Sequence, residues 1–201
     1  MDHDPRVRAA IDGDTAAMAE LLREHAATLR GQLSIDAKWQ SIIDVDDVLQ
    51  VTYLEAFLRI GSFADTGPGS LLAWLRRIAD NNLRDAIKGL QRLKRPPPMR
   101  QAARGSDESA VELLDLLGVT TTSPSRELAT TEMKTALAGA LAALPDDYAR
   151  VIRLYDLEGR SIEETVASCG RSAGAVHMLR ARAHARLREL LGENPFLSVG
   201  S

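Results

Sequence analysis

Five arginines and no acid occupy residues 171–188, the later part of a segment, Ser161–Leu191, patterned as two helices joined by a glycine turn. The chemistry open to such a segment is contact with a polyanion, because guanidinium groups and a helix N-terminus both favour phosphate. Ser161 and Glu164 stand at capping-box spacing, Cys169-Gly170 supplies the turn, and Ser172 is placed to cap the second helix. Val176, Leu179, Ala183, Leu187 and Leu190 form a buried stripe at 3–4 spacing. At about 100° per residue the opposite face is Gly174, Met178, Ala181 and Ala185. The small residues among them would let the helix backbone sit deep in a major groove. His177, Arg182 and Arg188 flank that face, with Arg171 and Ser172 at its N-terminal end. Arg180 falls beside the buried stripe and is expected to reach outward without reading a base.

A second basic surface lies about eighty residues upstream. Leu72, Leu75, Ala79, Leu83, Ala86, Leu90 and Leu93 repeat as an apolar stripe, and Arg77, Asn81, Arg84, Lys88, Gln91 and Arg95 follow the same spacing on the other side. A basic row of that length can track a phosphate backbone. Trp74 lies toward the basic side, so two readings stand: a platform for an unpaired base, or a core residue beneath the neighbouring Gly/Pro loop. The helix before it, Val45–Ile60, buries one face through Val45, Leu49, Thr52, Tyr53, Ala56 and Ile60. Its second edge is Asp47, Gln50, Val51, Leu54, Glu55 and Leu58. Apolar residues on both sides of an acidic helix predict a sandwiched position, within its own domain or against a partner protein.

The elements that must position these groups are all helical. Aromatics are 4% of the 201 residues, and no strand-like alternation persists. An opening helix is predicted over roughly Pro5–Arg30, broken near Gly13, with Met18, Leu21, Leu22 and Leu29 inward. Asp44 and Asp46 are N-cap candidates for the next helix, residues 61–69 form a loop, and a long helix runs from Ser70 to Pro96-Pro97-Pro98. The predicted organisation is two small domains, 1–95 and 131–192, a flexible linker over 96–130 and a tail over 193–201. A short amphipathic piece at Val111–Leu117 could dock. Closure of the two domains on each other is predicted to hide Arg77–Arg95.

Net charge is −3, but residues 71–104 hold 9 basic and 2 acidic side chains against 6 and 12 over residues 1–70. Concentrated patches on an acidic chain suit local phosphate contact, not general coating of DNA. One cysteine excludes an internal disulfide, and no apolar run is long enough to span a bilayer, so a cytoplasmic protein without membrane insertion is expected. The four histidines are scattered, Cys169 has no companions at metal-ligand spacing, and no glycine-rich phosphate loop occurs. Neither catalysis nor a metal or other cofactor is expected.

In these residues the chain resembles the extracytoplasmic-function (ECF) sigma factors, the two-domain promoter-recognition subunits of bacterial RNA polymerase. Asp44-Val-Asp-Asp47-Val-Leu-Gln50 is similar to the family's Asp-x-x-Asp-x-x-Gln helix. Residues 73–85, with Trp74, Leu75, Ile78, Ala79, Asn81 and Asp85, are similar to its Trp-Leu-x-x-Ile-Ala-x-Asn-x-x-x-Asp segment. Leu141–Pro145 and Gly170–Ala183 match its second domain. The chain departs from the pattern at Thr165, Val166, Cys169 and Asp80, and in its long acidic linker.

The resemblance implies that Asp47, Gln50, Val51, Leu54 and Leu58 bind the core RNA polymerase clamp. It implies that Phe63, Trp74, Arg77, Asn81, Arg84, Lys88 and Arg95 capture the promoter minus-ten element. Arg171, Ser172, Gly174, His177, Met178, Ala181 and Arg182 would read the minus-thirty-five element as duplex. Core polymerase, promoter DNA and an anti-sigma factor are the implied partners. A stand-alone operator-binding regulator and a helical adaptor without a DNA role are the competing readings.

Overall fold

Each helix begins where a short polar side chain can satisfy the free N–H groups of its first turn. In the computed structural model, which describes residues 4–93, 106–121, 126–194 and 197–199, Asp4 caps α1 (Pro5–Ile11) and Asp14 caps α2 (Thr15–Gln32). Asp44 Oδ1 accepts from the Asp46 N–H at 2.8 Å and starts α3 (Val45–Arg59). After a loop, α4 covers Ser70–Leu93. The opening helix is therefore two helices, and the inward set Met18, Leu21, Leu22 and Leu29 is buried. With Leu49, Ala56, Ile60, Phe63, Leu75 and Ile78 these residues form the core of the N-terminal half.

The C-terminal half is built from α6 (Arg126–Ala142), α7 (Asp146–Val151), α8 (Ile162–Cys169) and α9 (Ala173–Gly192). Both sides of the Ser161–Glu164 capping box are made, at 3.2 and 2.8 Å. Gly170 stops α8 with φ +63°, a left-handed conformation that costs a residue with a Cβ about 1–2 kcal/mol. Ser172 Oγ then accepts from the Ala175 N–H at 3.2 Å and starts α9. α7 runs on into a wider, π-helical stretch, Ile152–Leu157, that no periodicity in the sequence announces. On it sits Asp156, buried between Arg180 and His184 of α9.

α9 is the central helix. One side packs on α6, α7 and α8, and another packs on α3 and α4 of the N-terminal half. A second core is therefore shared between the halves: Ile43, Val48, Val51, Ala86 and Leu90 meet Leu137, Tyr148, Val151, Val176, Met178 and Leu187.

The middle of the chain joins that core. α5 (Ser106–Leu117) buries Leu113, Leu114 and Leu117. The short strand β1 (Val119–Thr121) pairs antiparallel with β2 (Leu197–Val199), in the register Val119↔Val199 and Thr121↔Leu197. Among the described residues the fold is all-α apart from this ladder, whose three-residue strands are too short to leave an alternation in the sequence.

Candidate polymerase and nucleic-acid interfaces

The three groups of candidate residues occupy three different environments. On α3 the edge Asp47, Gln50, Val51 and Leu54 faces α9 and does not face solvent as a whole. Val51 is buried and Leu54 packs against the shared core. The Asp47 Oδ2 accepts the Ser172 backbone N–H at 3.1 Å, across the boundary between the halves. A cavity of about 210 Å³ remains between the two helices, lined by Asp47, Gln50, Val51 and Leu54 on one side and Arg171, Ala175 and Leu179 on the other. Gln50 is exposed, as are Phe57 and Leu58 at 38% and 45%, so the C-terminal part of α3 carries an open apolar edge.

On α4, Arg77, Arg84 and Lys88 stand exposed in a row, about one helical turn or two apart. Arg84 Nη1 donates to the Asn81 Oδ1 at 2.7 Å, which holds the amide toward that row. Trp74 is half-buried with its ring centroid 5.1 Å from that of Phe63, tilted by 44°. The indole is thus supported by the loop, as the core reading of Trp74 expects, without being fully enclosed. Arg95 and the side chain of Leu93 lie outside the described residues. The expectation that closure hides Arg77–Arg95 is overturned for the described part: the halves do close, yet this row faces solvent. α9 approaches α4 on a different side, through Asn82, Asp85 and Gly89.

On α9 the candidate reading face is the one that closure covers. Gly174 lies against Ile43 and Met178 is fully buried. Ala181 is half-buried and His177 sits over Gly89, where a Cβ would come within 2.6 Å of the His177 Cβ. Arg182, with a side chain 15% exposed, meets polar groups of both α3 and α4. Its Nε donates to the Asn82 Oδ1 at 2.8 Å and lies 3.2 Å from the Glu55 Oε2, while Nη2 lies 3.0 Å from the Asp85 Oδ2. Burial pushes the Glu55 carboxyl above the usual carboxylate range, against the opposing pull of Arg182 and Arg59. Asn82 also donates to the Thr52 Oγ1 at 3.1 Å, so it ties α3, α4 and α9 together. The sequence reading did not single out Asn82; its place between two apolar-stripe residues, Ala79 and Ala86, was the available signal.

The other arginines of residues 171–188 are also paired within the chain. Arg171 pairs with Asp147 at 3.1 Å, and Arg188 donates to the carbonyls of Leu116 and Leu117. Arg180 does not reach open solvent as expected. It forks onto Asp156 at 2.7–3.0 Å and covers the Tyr155 ring at 4.9 Å. Burial alone would raise the Asp156 carboxyl, but hydrogen bonds from His184 and Arg180 outweigh it and hold the group below its ordinary value. Among the described residues no cluster of His, Cys, Asp and Glu could hold a metal, and no helix is long and apolar enough to cross a membrane.

Two family models match, in the same order as these surfaces. Sigma-70 region 2 covers residues 37–93, which includes α3 and α4, and Sigma-70 region 4 covers residues 134–187, which reaches through most of α9. Full-length relatives agree. The ECF RNA polymerase sigma factor SigM of Mycobacterium tuberculosis is 30% identical over 196 residues, 96% of this chain and 84% of its own. RNA polymerase sigma factor CarQ of Myxococcus xanthus is 28% identical over 90% of this chain and 93% of its own. ECF RNA polymerase sigma factor SigE of Mycolicibacterium smegmatis is 27% identical over 90% of this chain, which spans 65% of that longer protein. Among solved structures, CnrH in complex with the cytosolic domain of CnrY aligns over 94% of this chain and 96% of that one at 25% identity. Its TM-score of 0.33 is too low to bear on geometry. The chain belongs to the ECF RNA polymerase sigma factors.

Proposed function

We propose that this protein works as an alternative sigma factor: it binds core RNA polymerase, recognises the minus-ten and minus-thirty-five promoter elements, and promotes transcription initiation by binding, without catalysis of its own. Residues 1–95 act as the polymerase-binding and minus-ten unit. Residues 131–192 act as the minus-thirty-five unit, with α8 and α9 as a helix-turn-helix, and 96–130 connect the two. Asp47, Gln50, Val51, Leu54 and Leu58 meet the polymerase clamp. Phe63, Trp74, Asn81 and the row Arg77, Arg84, Lys88, extended toward Arg95, hold the minus-ten strand. Unpairing of the duplex is offset there by phosphate contacts and by stacking of an extruded base. Arg171, Ser172, Gly174, His177, Met178, Ala181 and Arg182 read the minus-thirty-five duplex from the major groove. Core polymerase and promoter DNA are the partners, and an anti-sigma factor is a third of the same class.

The observation that carries this reading is the exposed row Arg77–Arg84–Lys88 beside the supported Trp74. Its test is a pull-down of the full chain with bacterial core RNA polymerase. Wild type is expected to be retained, and the triple change Asp47→Ala/Gln50→Ala/Leu54→Ala to lose at least nine-tenths of that retention. No retention of wild type, together with duplex binding by the free chain, would leave the stand-alone regulator as the reading.

A further inference from the structure

A small cavity lies where α3 meets α7 and α9. Its volume is about 80 Å³, room for roughly two or three waters or for one tetrahedral oxyanion. Glu55 and Arg59 line it from α3, Tyr148 from α7, and Arg182, Arg186 and Glu189 from α9. Two of these side chains carry a buried polar atom that no described residue satisfies. They are the Glu55 Oε2 and the Tyr148 Oη, on residues 5% and 1% exposed. Arg182 Nε lies 3.2 Å from that carboxylate oxygen, but its N–H is given to the Asn82 Oδ1 at 2.8 Å. Arg59 donates to the other oxygen, Oε1, at 3.3 Å. A buried donor or acceptor left unpaired is costly, and two of them on one cavity call for a guest.

The two atoms ask for opposite things. An ionised Glu55 Oε2 can only accept a hydrogen bond, whereas the Tyr148 hydroxyl has a proton to give. A guest that satisfies both must donate at one end and accept at the other. The surrounding charge selects its sign: three arginines face two glutamates, and each guanidinium keeps N–H groups beyond those already bonded. Phosphate meets all of these conditions. Near neutral pH it retains a P–O–H that can donate to Glu55, while its other oxygens accept from Tyr148, Arg59 and Arg186. Sulfate has the same shape and no such proton, so it sets an anionic oxygen against the Glu55 carboxylate with no hydrogen between them.

We infer that this cavity is a binding site for inorganic phosphate, selective against sulfate through Glu55. With α3 on one side and α7 and α9 on the other, bound phosphate joins the two halves of the chain. The site needs neither polymerase nor DNA.

The full chain is titrated with inorganic phosphate, sulfate and methyl phosphate at matched ionic strength in slightly alkaline buffer, with heat of binding and Tm as readouts. The methyl phosphate dianion has lost the proton that Glu55 needs, so it separates the free ion from the end group of a larger ligand. Wild type is expected to bind one phosphate, about tenfold or more tighter than sulfate or methyl phosphate. Tyr148→Phe removes only the unpaired hydroxyl. Without phosphate it should melt within a few degrees of wild type, yet its phosphate affinity should fall about tenfold. Glu55→Gln replaces the acceptor with an amide that donates to either ion, so sulfate should then bind nearly as well as phosphate.

Equal affinity of wild type for phosphate and sulfate would overturn the inference. So would phosphate binding that a folded Tyr148→Phe leaves unchanged, or selectivity that Glu55→Gln retains. Methyl phosphate bound as tightly as the free ion would overturn the assignment to inorganic phosphate. No binding by wild type would mean that water fills the cavity, and would overturn the site altogether. None of these results depends on polymerase, so the sigma factor reading stands or falls separately.

Discussion

Asp156→Ala is expected to lower folding stability by about 3 kcal/mol, read as a fall in Tm of roughly 6–12 °C for a chain of this size. The carboxylate is 3% exposed, and it is the shared partner of Arg180 and His184 on α9. Deleting it takes away the carboxylate that Arg180 and His184 share. Removing one member of a buried ion pair usually costs about 3–5 kcal/mol. The lower figure applies because Arg180 keeps 22% of its side chain exposed and can turn partly to water. A loss under about 1 kcal/mol would mean that water already satisfies the cluster.

The same residue sets a pH dependence. Its folded-state value is depressed below the unfolded one, so its contribution is complete above the unfolded value of about 3.9 and is lost as pH falls through the folded value. Wild type should therefore lose stability below about pH 4 more steeply than Asp156→Asn, compared by denaturant melts across that range.

The larger effect is expected from α5. Changing Leu113, Leu114 and Leu117 together to alanine should remove on the order of 6 kcal/mol, since each fully buried Leu→Ala change costs about 2–5 kcal/mol and neighbouring sites are not additive. All three side chains are 2% exposed or less. Against a typical stability of about 5–15 kcal/mol, that change should abolish or greatly weaken cooperative unfolding of the C-terminal half. The paired control is Val111→Ala/Leu116→Ala, at positions 38% and 51% exposed on the same helix, which should cost less than about 1 kcal/mol. A triple variant melting within a few degrees of wild type would show that α5 is dispensable to the core. The sequence places these leucines within the linker, in an amphipathic piece able to dock, and in the structure they are part of the core around α9.

What was legible in the sequence follows from how local the signal was. Caps and turns depend on a few adjacent residues, and Asp44, Ser161, Glu164, Gly170 and Ser172 do in the structure what their types and spacing predict. The stripes of α2 and α9 were readable for the same reason, although Leu190 ends only half-buried. The faces without a stripe were harder. On α9 the sequence leaves Gly174, Met178 and Ala181 looking like an open surface, because nothing within the helix records that α4 has a glycine and an asparagine where it passes. Small residues that suit a DNA groove suit a neighbouring helix equally well. The π-helical stretch and the β1–β2 ladder were illegible for another reason. One leaves no periodic mark in the sequence, and the other pairs three residues with three others far along the chain.

That ladder has a consequence for how the protein is made. Residues 119 and 199 are partners, so β1 stays an unpaired edge from the time it leaves the ribosome until the final turn of α9 and the residues beyond it have followed. At about 5–20 residues per second this interval lasts some seconds, long on the scale of helix formation. The N-terminal half can be folded well before the C-terminal half can close. During synthesis, therefore, the acidic faces of α3 and α4 exist for a time without the helix that later covers them.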